Sequence, residues 1–355
     1  MAEVLLTVSG TIAPDIPAQV ASGRRPRADY LELARTFDAD LLDYPAARRL
    51  GGRVGRALER AGGPDLLLAW VCFQQRRKYR AIFTDGEQVG IPFALMGKLF
   101  GLGQHARHLM IVHILSVKKK MVFFDYFGIQ SHIDRFLVYS TWQKQFIEQR
   151  WDVSPERVLF TPFMVDANFF APGQVLPQKQ TPPLICSVGL EARDYPTMLR
   201  AVDGLNAQIV IAAASPWSKR ADNTTGEVIP ANVRVQRFSQ FELRQLYADS
   251  AFMVMPLQNV DFQAGVTAIL EAMAMGRAVI CSRTPGQTDV VVDGETGIYV
   301  PPGDAQALRE AIEYLLYHPE IAERMGQAGR RRIEQSMNLE SYVERLGHVV
   351  QTVSM

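Results

Sequence analysis

Ala251 to Ser282 reads AFMVMPLQNVDFQAGVTAILEAMAMGRAVICS. The runs AFMVMP and RAVICS at its two ends are apolar and of strand length. Between them a polar loop gives way to a stretch that starts at Gly265 and ends at Gly276, rich in Ala, Leu and Met. That composition and length suit a helix lying on a core. Strand, helix, strand in this order is the unit of a parallel sheet. One residue sits badly in so apolar a helix. Glu271 is a lone carboxylate, and a buried charge needs a partner, which need not be protein.

The same alternation extends in both directions. Upstream, EVLLTVSG, ADLLDY, AIFTDG, HLMIVH, RFLVYS and RVLFTPF read as buried strands, with helices such as Pro92–Phe100 and Trp142–Trp151 between them. A Pro-, Gly- and Gln-rich stretch, FFAPGQVLPQKQTPPL, then lacks periodicity and reads as a linker. LICSVG, QIVIAAA, NVRVQRF, AFMVMP, RAVICS and GIYV form a second series. The fold class expected is α/β: two Rossmann-like, doubly wound parallel-sheet domains facing a cleft. The first domain is expected over 1–168, the linker over 169–183 and the second domain over 184–338. A C-terminal helix is expected over 339–355. The tail before it reads as helical, with Asp304 as N-cap and a break at Pro319. In such sheets ligands sit beyond the carboxyl ends of the strands.

Composition narrows the function classes. The 355 residues hold 38 Lys and Arg against 37 Asp and Glu, so no global charge draws the chain to nucleic acid. Residues 1–170 carry 22 basic against 17 acidic side chains, a mild excess. Cys72, Cys186 and Cys281 are far apart, which argues against a disulfide framework and a zinc site and for a reducing, cytoplasmic setting. The N-terminus MAEVLLTVSG lacks the pattern of a signal peptide, and no apolar run reaches the length of a membrane span. The basic runs Arg24–Arg27, Gln74–Arg80 and Lys118–Lys120, with Trp70, Phe73, Phe123 and Phe124 nearby, are the candidates for peripheral contact with a membrane surface or a lipid phosphate.

Three ordered motifs, LEAMAMGRAVICS, the turn PGQTDVV and DGETGIYVPPGD, resemble the nucleotide-sugar-binding half of retaining glycosyltransferases of family 4, which have the GT-B fold. TPFMVDANFFAPG and ICSVGLEARDYPTMLRAV resemble that family's passage into its second domain. The resemblance covers roughly residues 135–345 and is weak over the first 130. It implies a nucleotide-sugar donor, UDP- or GDP-linked, with its diphosphate near the start of the helix at Gly265, Val266 and Thr267. There, free N–H groups and the macrodipole favour negative charge. It implies that Glu271 accepts hydrogen bonds from ribose hydroxyls, as a carboxylate can. Gln263 stands where the family usually has a Glu beside the transferred sugar, so its amide keeps hydrogen bonding without the charge. Phe262, Gln263, Ala264 and Gly265 would offer backbone N–H groups to the sugar.

In GLEARDY the resemblance places Gly189 at the donor and Arg193 at a phosphate-binding cation position, while Leu190 stands where a second cation is usual. A fixed cation stabilises the leaving diphosphate. Lys219 and Arg220 are further cation candidates, and the base is expected near Arg237–Ser239, at Phe238 and Ser239. In the first domain, Gly10 would let the first loop approach the donor and His113 would lie at a strand end near the transferred sugar. Asp85 and Glu87 would orient the acceptor hydroxyl.

The expected activity is transfer of a hexosyl group to an acceptor hydroxyl, with retention. Arg193, His113 and Gln263 are its catalytic candidates. No cofactor is expected, the nucleotide sugar being a substrate. No Asp-x-Asp metal site is expected either, because a helix terminus and cations hold the diphosphate. The acceptor, a small molecule, a glycan or a lipid, is not specified by the sequence. A nucleotide-sugar epimerase, a phosphorylase and a non-catalytic sugar-nucleotide-binding protein share the architecture and are the alternatives.

Overall fold

The structure, a computed structural model, describes residues 3–101, 106–212 and 228–354. The chain divides into two compact units. One comprises Met1–Pro17, Arg27–Thr161 and Tyr342–Met355; the other comprises Ala18–Pro26 and Pro162–Ser341.

The first unit is built on six parallel strands: β1 (Val4–Thr7), β2 (Ala39–Leu42), β3 (Ala81–Thr84), β4 (Arg107–Val112), β5 (Arg135–Val138) and β6 (Val158–Phe160). Their order is β2-β1-β3-β4-β5-β6. The second unit repeats the plan with β7 (Leu184–Val188), β8 (Gln208–Ala212), β9 (Val233–Gln236), β10 (Ser250–Met255), β11 (Ala278–Ser282) and β12 (Gly297–Val300). Here the order is β12-β11-β10-β7-β8-β9. All twelve strands among the described residues fall on the apolar runs read from the sequence.

The physical reason lies in burial. A parallel sheet is covered on both faces, so its strands read as continuous apolar runs rather than alternating ones. In the second unit, Cys186, Val210, Met253, Val279 and Cys281 feed one core. Their neighbours Ile185, Ile209, Ile211, Phe252, Val254 and Ile280 feed another, on the opposite face. Phe169 and Phe170, which open the Pro- and Gly-rich stretch, are packed into the first of these cores.

The order of strands fixes where loops diverge. In each sheet the direction of winding reverses once, between β1 and β3 in the first and between β7 and β10 in the second. At such a switch point neighbouring loops leave to opposite sides and open a crevice at the carboxyl ends. Gly10 and Asp85 follow β1 and β3; Gly189 and Pro256 follow β7 and β10.

The C-terminal helix runs from Leu339 to Ser354. From Tyr342 onward it belongs to the first unit, where the Tyr342 and Tyr139 hydroxyls are buried and hydrogen-bonded at 3.0 Å. Asp304 caps the Ala305–Tyr317 helix through the Ala307 N–H, and the chain breaks before Pro319 as read. Among the described residues no helix is long and apolar enough to cross a membrane.

Close backbone packing sets one strict demand. Gly326, on the Pro319–Arg332 helix, lies so near the start of β11 that a Cβ would stand 2.0 Å from the Gly276 carbonyl oxygen. Alanine would gain about 1 kcal/mol of helix propensity, but this neighbour is backbone and cannot rotate away. Gly326→Ala should therefore be destabilising by about 1–3 kcal/mol, the range for an overpacked core. A urea midpoint equal to or above that of the wild type would show that the helix can shift without cost.

Candidate functional site

In the second unit the two loops at the switch point are tied by their backbones. Asp194 N–H donates to Pro256 O at 3.0 Å, and Gln258 N–H to Ala192 O at 2.9 Å. Arg193 lies between these two ties and is 5% exposed. Its Nε donates to Val188 O at 3.0 Å and its Nη1 to Glu191 O at 2.6 Å. The guanidinium rests on Gly189, whose φ is +106°; a Cβ there would stand 2.3 Å from Nη2. Gly189 is thus required both for its left-handed backbone and for the seat of Arg193. Burial lowers the pKa of Arg193, opposed by the fields of Tyr195, Cys281 and Tyr247. Arg193 lies on the loop after β7 as a buried cation held by carbonyls. Leu190, at the other cation position, is a core side chain. Lys219 and Arg220 lie outside the described residues.

The Val266–Ala274 helix begins at Gly265, which is left-handed at φ 76° and packed so that a Cβ would meet Met255 Sδ at 2.7 Å. No side chain caps this terminus. Val266 is half-buried and Thr267 exposed, and the helix first bonds back through Ile269 N–H to Gly265 O. Before it, Ala264 is buried and its N–H donates to Phe262 O at 2.8 Å, so that N–H is spent inside the loop and not offered outward. Gln263 differs. Both polar atoms of its amide are buried without a protein partner. An orphaned buried polar group costs about 1–3 kcal/mol, so a cluster of them marks a place that a polar ligand or water would complete.

Three more such groups lie on neighbouring strand ends and loops, and sequence reasoning missed them. Gln287 is fully buried with both amide atoms unpartnered, as are the hydroxyls of Thr284 and Ser187. Thr284 and Gln287 flank Gly286, where a Cβ would stand 2.3 Å from the Phe262 carbonyl carbon. The two loops therefore touch backbone to backbone. The turn PGQTDVV belongs to the motifs that carry the resemblance, but nothing in it marks a buried glutamine.

Glu271 is 5% exposed, and its Oε2 accepts a hydrogen bond from the Tyr247 hydroxyl at 2.8 Å. Burial raises its pKa from 4.5 to about 7, against the pull of that hydrogen bond. Ser239 is placed differently from expectation. It is the N-cap of the Gln240–Asp249 helix, and its N–H and hydroxyl both bond Glu242 in a capping box. Those atoms serve the helix rather than a base. Phe238 is half-buried against the core.

In the first unit Gly10 has open space where a Cβ would stand. Asp85 holds the loop before it: Oδ1 accepts from Thr7 Oγ1 at 2.7 Å and Ser9 Oγ at 3.1 Å, and Oδ2 from Ser9 N–H. Burial raises its pKa, opposed by these bonds and by His113. Glu87 is corrected. It is buried, and its oxygens are taken by the N–H groups of His113 and Ile114 and by Lys120 Nζ at 2.6 Å. Burial alone would raise its pKa, but His113 and Lys120 turn the net shift downward. It anchors the loop after β4 and has no oxygen free for an acceptor. His113 is exposed, with Nε2 3.0 Å from Asp85 O; a carbonyl can only accept, so Nε2 carries the proton and Nδ1 is the basic nitrogen. Asp29, which opens the Asp29–Phe37 helix, was not singled out from sequence. Its pKa is raised by burial and lowered in part by its own helix N–H groups and by His113.

Asp38 and Asp40 have Asp-x-Asp spacing, but each has another role. Asp38 is the left-handed C-cap of the Asp29–Phe37 helix, and Asp40 accepts from Tyr79 OH at 2.8 Å. Among the described residues no three His, Cys, Asp or Glu side chains converge as a metal site would require.

Residues 174–332 match the family model for group 1 glycosyl transferases. D-rhamnosyltransferase WbpZ of Pseudomonas aeruginosa is 31% identical over 143 residues, 39% of this chain and 36% of WbpZ. The chain spans well under two thirds of the curated relatives it matches. Sucrose-phosphate synthase from Thermosynechococcus elongatus superposes with a TM-score of 0.74 at 16% identity, covering 99% of this chain and 98% of that one. Anabaena HepE in complex with UDP-glucose gives 0.69 at 13%, covering 98% and 99%. The chain has the GT-B fold. Its second unit is related to the group 1 glycosyl transferases.

The raised pKa of Glu271 has a measurable consequence. The native protein binds this proton more tightly than the unfolded chain does. The stabilising contribution is therefore full below about pH 4.5 and is lost as pH rises through about 7. Glu271→Gln mimics the protonated form. It should match the wild type in urea unfolding near pH 4.5 and exceed it by roughly 2–3 kcal/mol at pH 8.5. A variant less stable than the wild type at pH 8.5 would mean that the carboxylate has a stabilising partner in the empty protein.

Proposed function

We propose that the protein is a family 4-type hexosyltransferase. It moves a hexosyl group from a UDP- or GDP-linked sugar to an acceptor hydroxyl, with retention and without a metal ion. The observation that carries this reading is the uncapped start of the Val266–Ala274 helix beside the unpartnered Gln263 amide and the buried Glu271, all inside the segment that matches the group 1 model. The complex of HepE with UDP-glucose, a protein of the same fold, supports a nucleotide sugar as donor.

In this reading the diphosphate lies at the free N–H groups of Val266 and Thr267, where the helix dipole favours it. Ribose hydroxyls donate to the Glu271 oxygen that Tyr247 leaves open. The Gln263 amide, with two donor hydrogens and an acceptor oxygen, takes hydroxyls of the transferred sugar. The acceptor oxygen bonds to the anomeric carbon as the bond from that carbon to the phosphate oxygen breaks, and the acceptor proton passes to the leaving diphosphate. Negative charge grows on the diphosphate during this step, so Arg193 contributes most in the transition state. On the acceptor side, the first unit offers the basic Nδ1 of His113 and the half-buried carboxylates of Asp85 and Asp29. Three buried free thiols suit a cytoplasmic setting, where sugar nucleotides are substrates.

Incubation with a panel of UDP- and GDP-sugars and a cell lysate, followed by mass spectrometry, should reveal a product heavier than its acceptor by one anhydrohexose. EDTA should leave its formation intact. Loss of product on chelation with recovery on adding Mg²⁺ or Mn²⁺ would overturn the metal-free reading.

Arg193→Ala should lower kcat by roughly 10²–10³-fold, the scale for removing one preorganised charge stabiliser. It should also be destabilising by about 1–3 kcal/mol, because Val188 O and Glu191 O lose their donor. Assays at a temperature where the variant is fully folded separate the two effects. Arg193→Lys should recover part of kcat as a point charge without the guanidinium fork. A normal kcat in the folded alanine variant would remove Arg193 from the chemistry.

A further inference from the structure

His113 follows β4, and β4 lies between β3 and β5 in the first sheet. Each neighbouring strand leads into a helix whose first turn reaches the backbone of this one residue. From the β3 side, Glu87 opens the Glu87–Phe100 helix and accepts from His113 N–H at 2.9 Å. From the β5 side, Gln143 stands in the first turn of the Thr141–Trp151 helix, and its Nε2 donates to His113 O at 3.0 Å. Both side chains are buried. The ring is held too: its Nε2 donates to Asp85 O, and the Tyr139 ring lies 5.6 Å from it, centre to centre.

The Gln143 bond is made in place of a local one. Ser140, Thr141, Trp142 and Gln143 have the spacing of a capping box, in which the fourth side chain returns to the N–H of the first. Half of the box forms, since Ser140 Oγ accepts from Gln143 N–H at 3.2 Å. The return bond is not made among the described residues, and the Gln143 amide goes to a residue thirty positions upstream. In the second unit Ser239 and Glu242 close both halves of the same motif. The first unit thus forgoes part of a helix cap to fix His113, whose side chain is exposed. An exposed imidazole ordinarily keeps its rotamer freedom, and ordering it has an entropic cost. Here its N–H, its C=O and one ring nitrogen are each fixed by a different segment. Nδ1 alone makes no hydrogen bond among the described residues.

We propose that Gln143 is a positioning residue for His113: it grips the carbonyl while Glu87 grips the N–H, which keeps the ring with Nε2–H on Asp85 O and Nδ1 open to a hydroxyl of the substrate. With both backbone groups held, the Cβ has one direction, and the Asp85 carbonyl then selects one face and one tautomer of the ring. In that tautomer Nδ1 only accepts, so it receives a hydroxyl and not a phosphate oxygen. The role of the hydroxyl rests on the proposed acceptor side of the transfer reaction; the positioning does not.

The test is NMR of the full chain labelled with ¹⁵N, at alkaline pH and without substrate, so its outcome is independent of the transfer reading. The His113 ring signals are identified by their loss in His113→Gln. In the wild type they should show a single tautomer, protonated at Nε2. Gln143→Met keeps the length of the side chain and removes the donor. There the His113 ring signals should move toward the averaged values of a freely hydrated imidazole. The His113 amide should also exchange with water about tenfold faster, the scale of one lost hydrogen bond. His108, on the same strand, is the control: its Nδ1 lies 3.1 Å from His132 O and carries the proton, and this opposite pattern should persist. Ser140→Ala removes the helix cap and keeps the Gln143 amide, so its His113 signals should match the wild type. A mixed tautomer in the wild type would overturn the proposal before any variant is made. An unmoved His113 ring in Gln143→Met would overturn it too. So would an equal shift in Ser140→Ala, or a change at His108, because the helix start or the whole strand would then be what holds the ring.

Discussion

The two backbone bonds that tie the loop after β7 to the loop after β10 are the constraint on which the second unit's chemistry depends. At a switch point two adjacent strands send their chains in opposite directions, so nothing in the sheet itself holds the loops together. The bonds Asp194 to Pro256 and Gln258 to Ala192 supply that link, and Arg193 is caught between them. Its side chain lies over Gly189, where a larger residue would be strained, and donates to the Val188 carbonyl at the end of β7. A cation so placed is desolvated before any ligand arrives. In the proposed reading it is prepared by folding, and the donor diphosphate need not reorganise it.

That preparation is costly. Glu271 is charged above about pH 7 in a nearly dry setting, and Gln263, Thr284, Gln287 and Ser187 hold polar atoms that the protein leaves unsatisfied. Domains of this size have a net stability of only about 5–15 kcal/mol, and each orphan costs about 1–3. A sequence selected for stability alone would fill these places with apolar side chains. The two cores that flank the second sheet, which alternate residue by residue along its strands, must offset the deficit.

The sequence made the architecture legible because the physics is local there. Twelve apolar runs separated by helical stretches can hardly form anything but parallel sheets, and LICSVG or RAVICS needs no distant information to be read as a strand. The site was legible only where a residue's role follows from its type and its place on one element. Gly265 at a helix start and Asp304 as a cap are of this kind. Roles decided by contacts distant in sequence were not. Glu87 has the character of an exposed first-turn carboxylate, yet two N–H groups from the loop after β4 and Lys120, in the helix that follows, close over it. Ser239 lies in a stretch that could contact a ligand, yet Glu242 three residues on claims it, a capping box that was written in the sequence and could have been read. Gln287 gave no signal, because only folding brings its loop against Phe262.

The two units resolve one topological problem in opposite ways. In the first, the carboxylates that follow β3 are largely satisfied by the protein: Asp85 fixes the loop after β1 and Glu87 fixes the loop after β4. Their strength goes into shaping the surface around His113, whose ring is locked in one tautomer by the Asp85 carbonyl. In the second, the polar groups beyond the strands are left open and the cation is buried. A rigid, satisfied rim suits a partner recognised by shape and by a single basic nitrogen. An unsatisfied, desolvated floor suits a ligand dense in hydroxyls and phosphate that replaces every missing bond on arrival. In the proposed reading, the division of labour between the units therefore follows from where each one spends its hydrogen bonds. The sheets themselves, which are nearly alike, do not decide it.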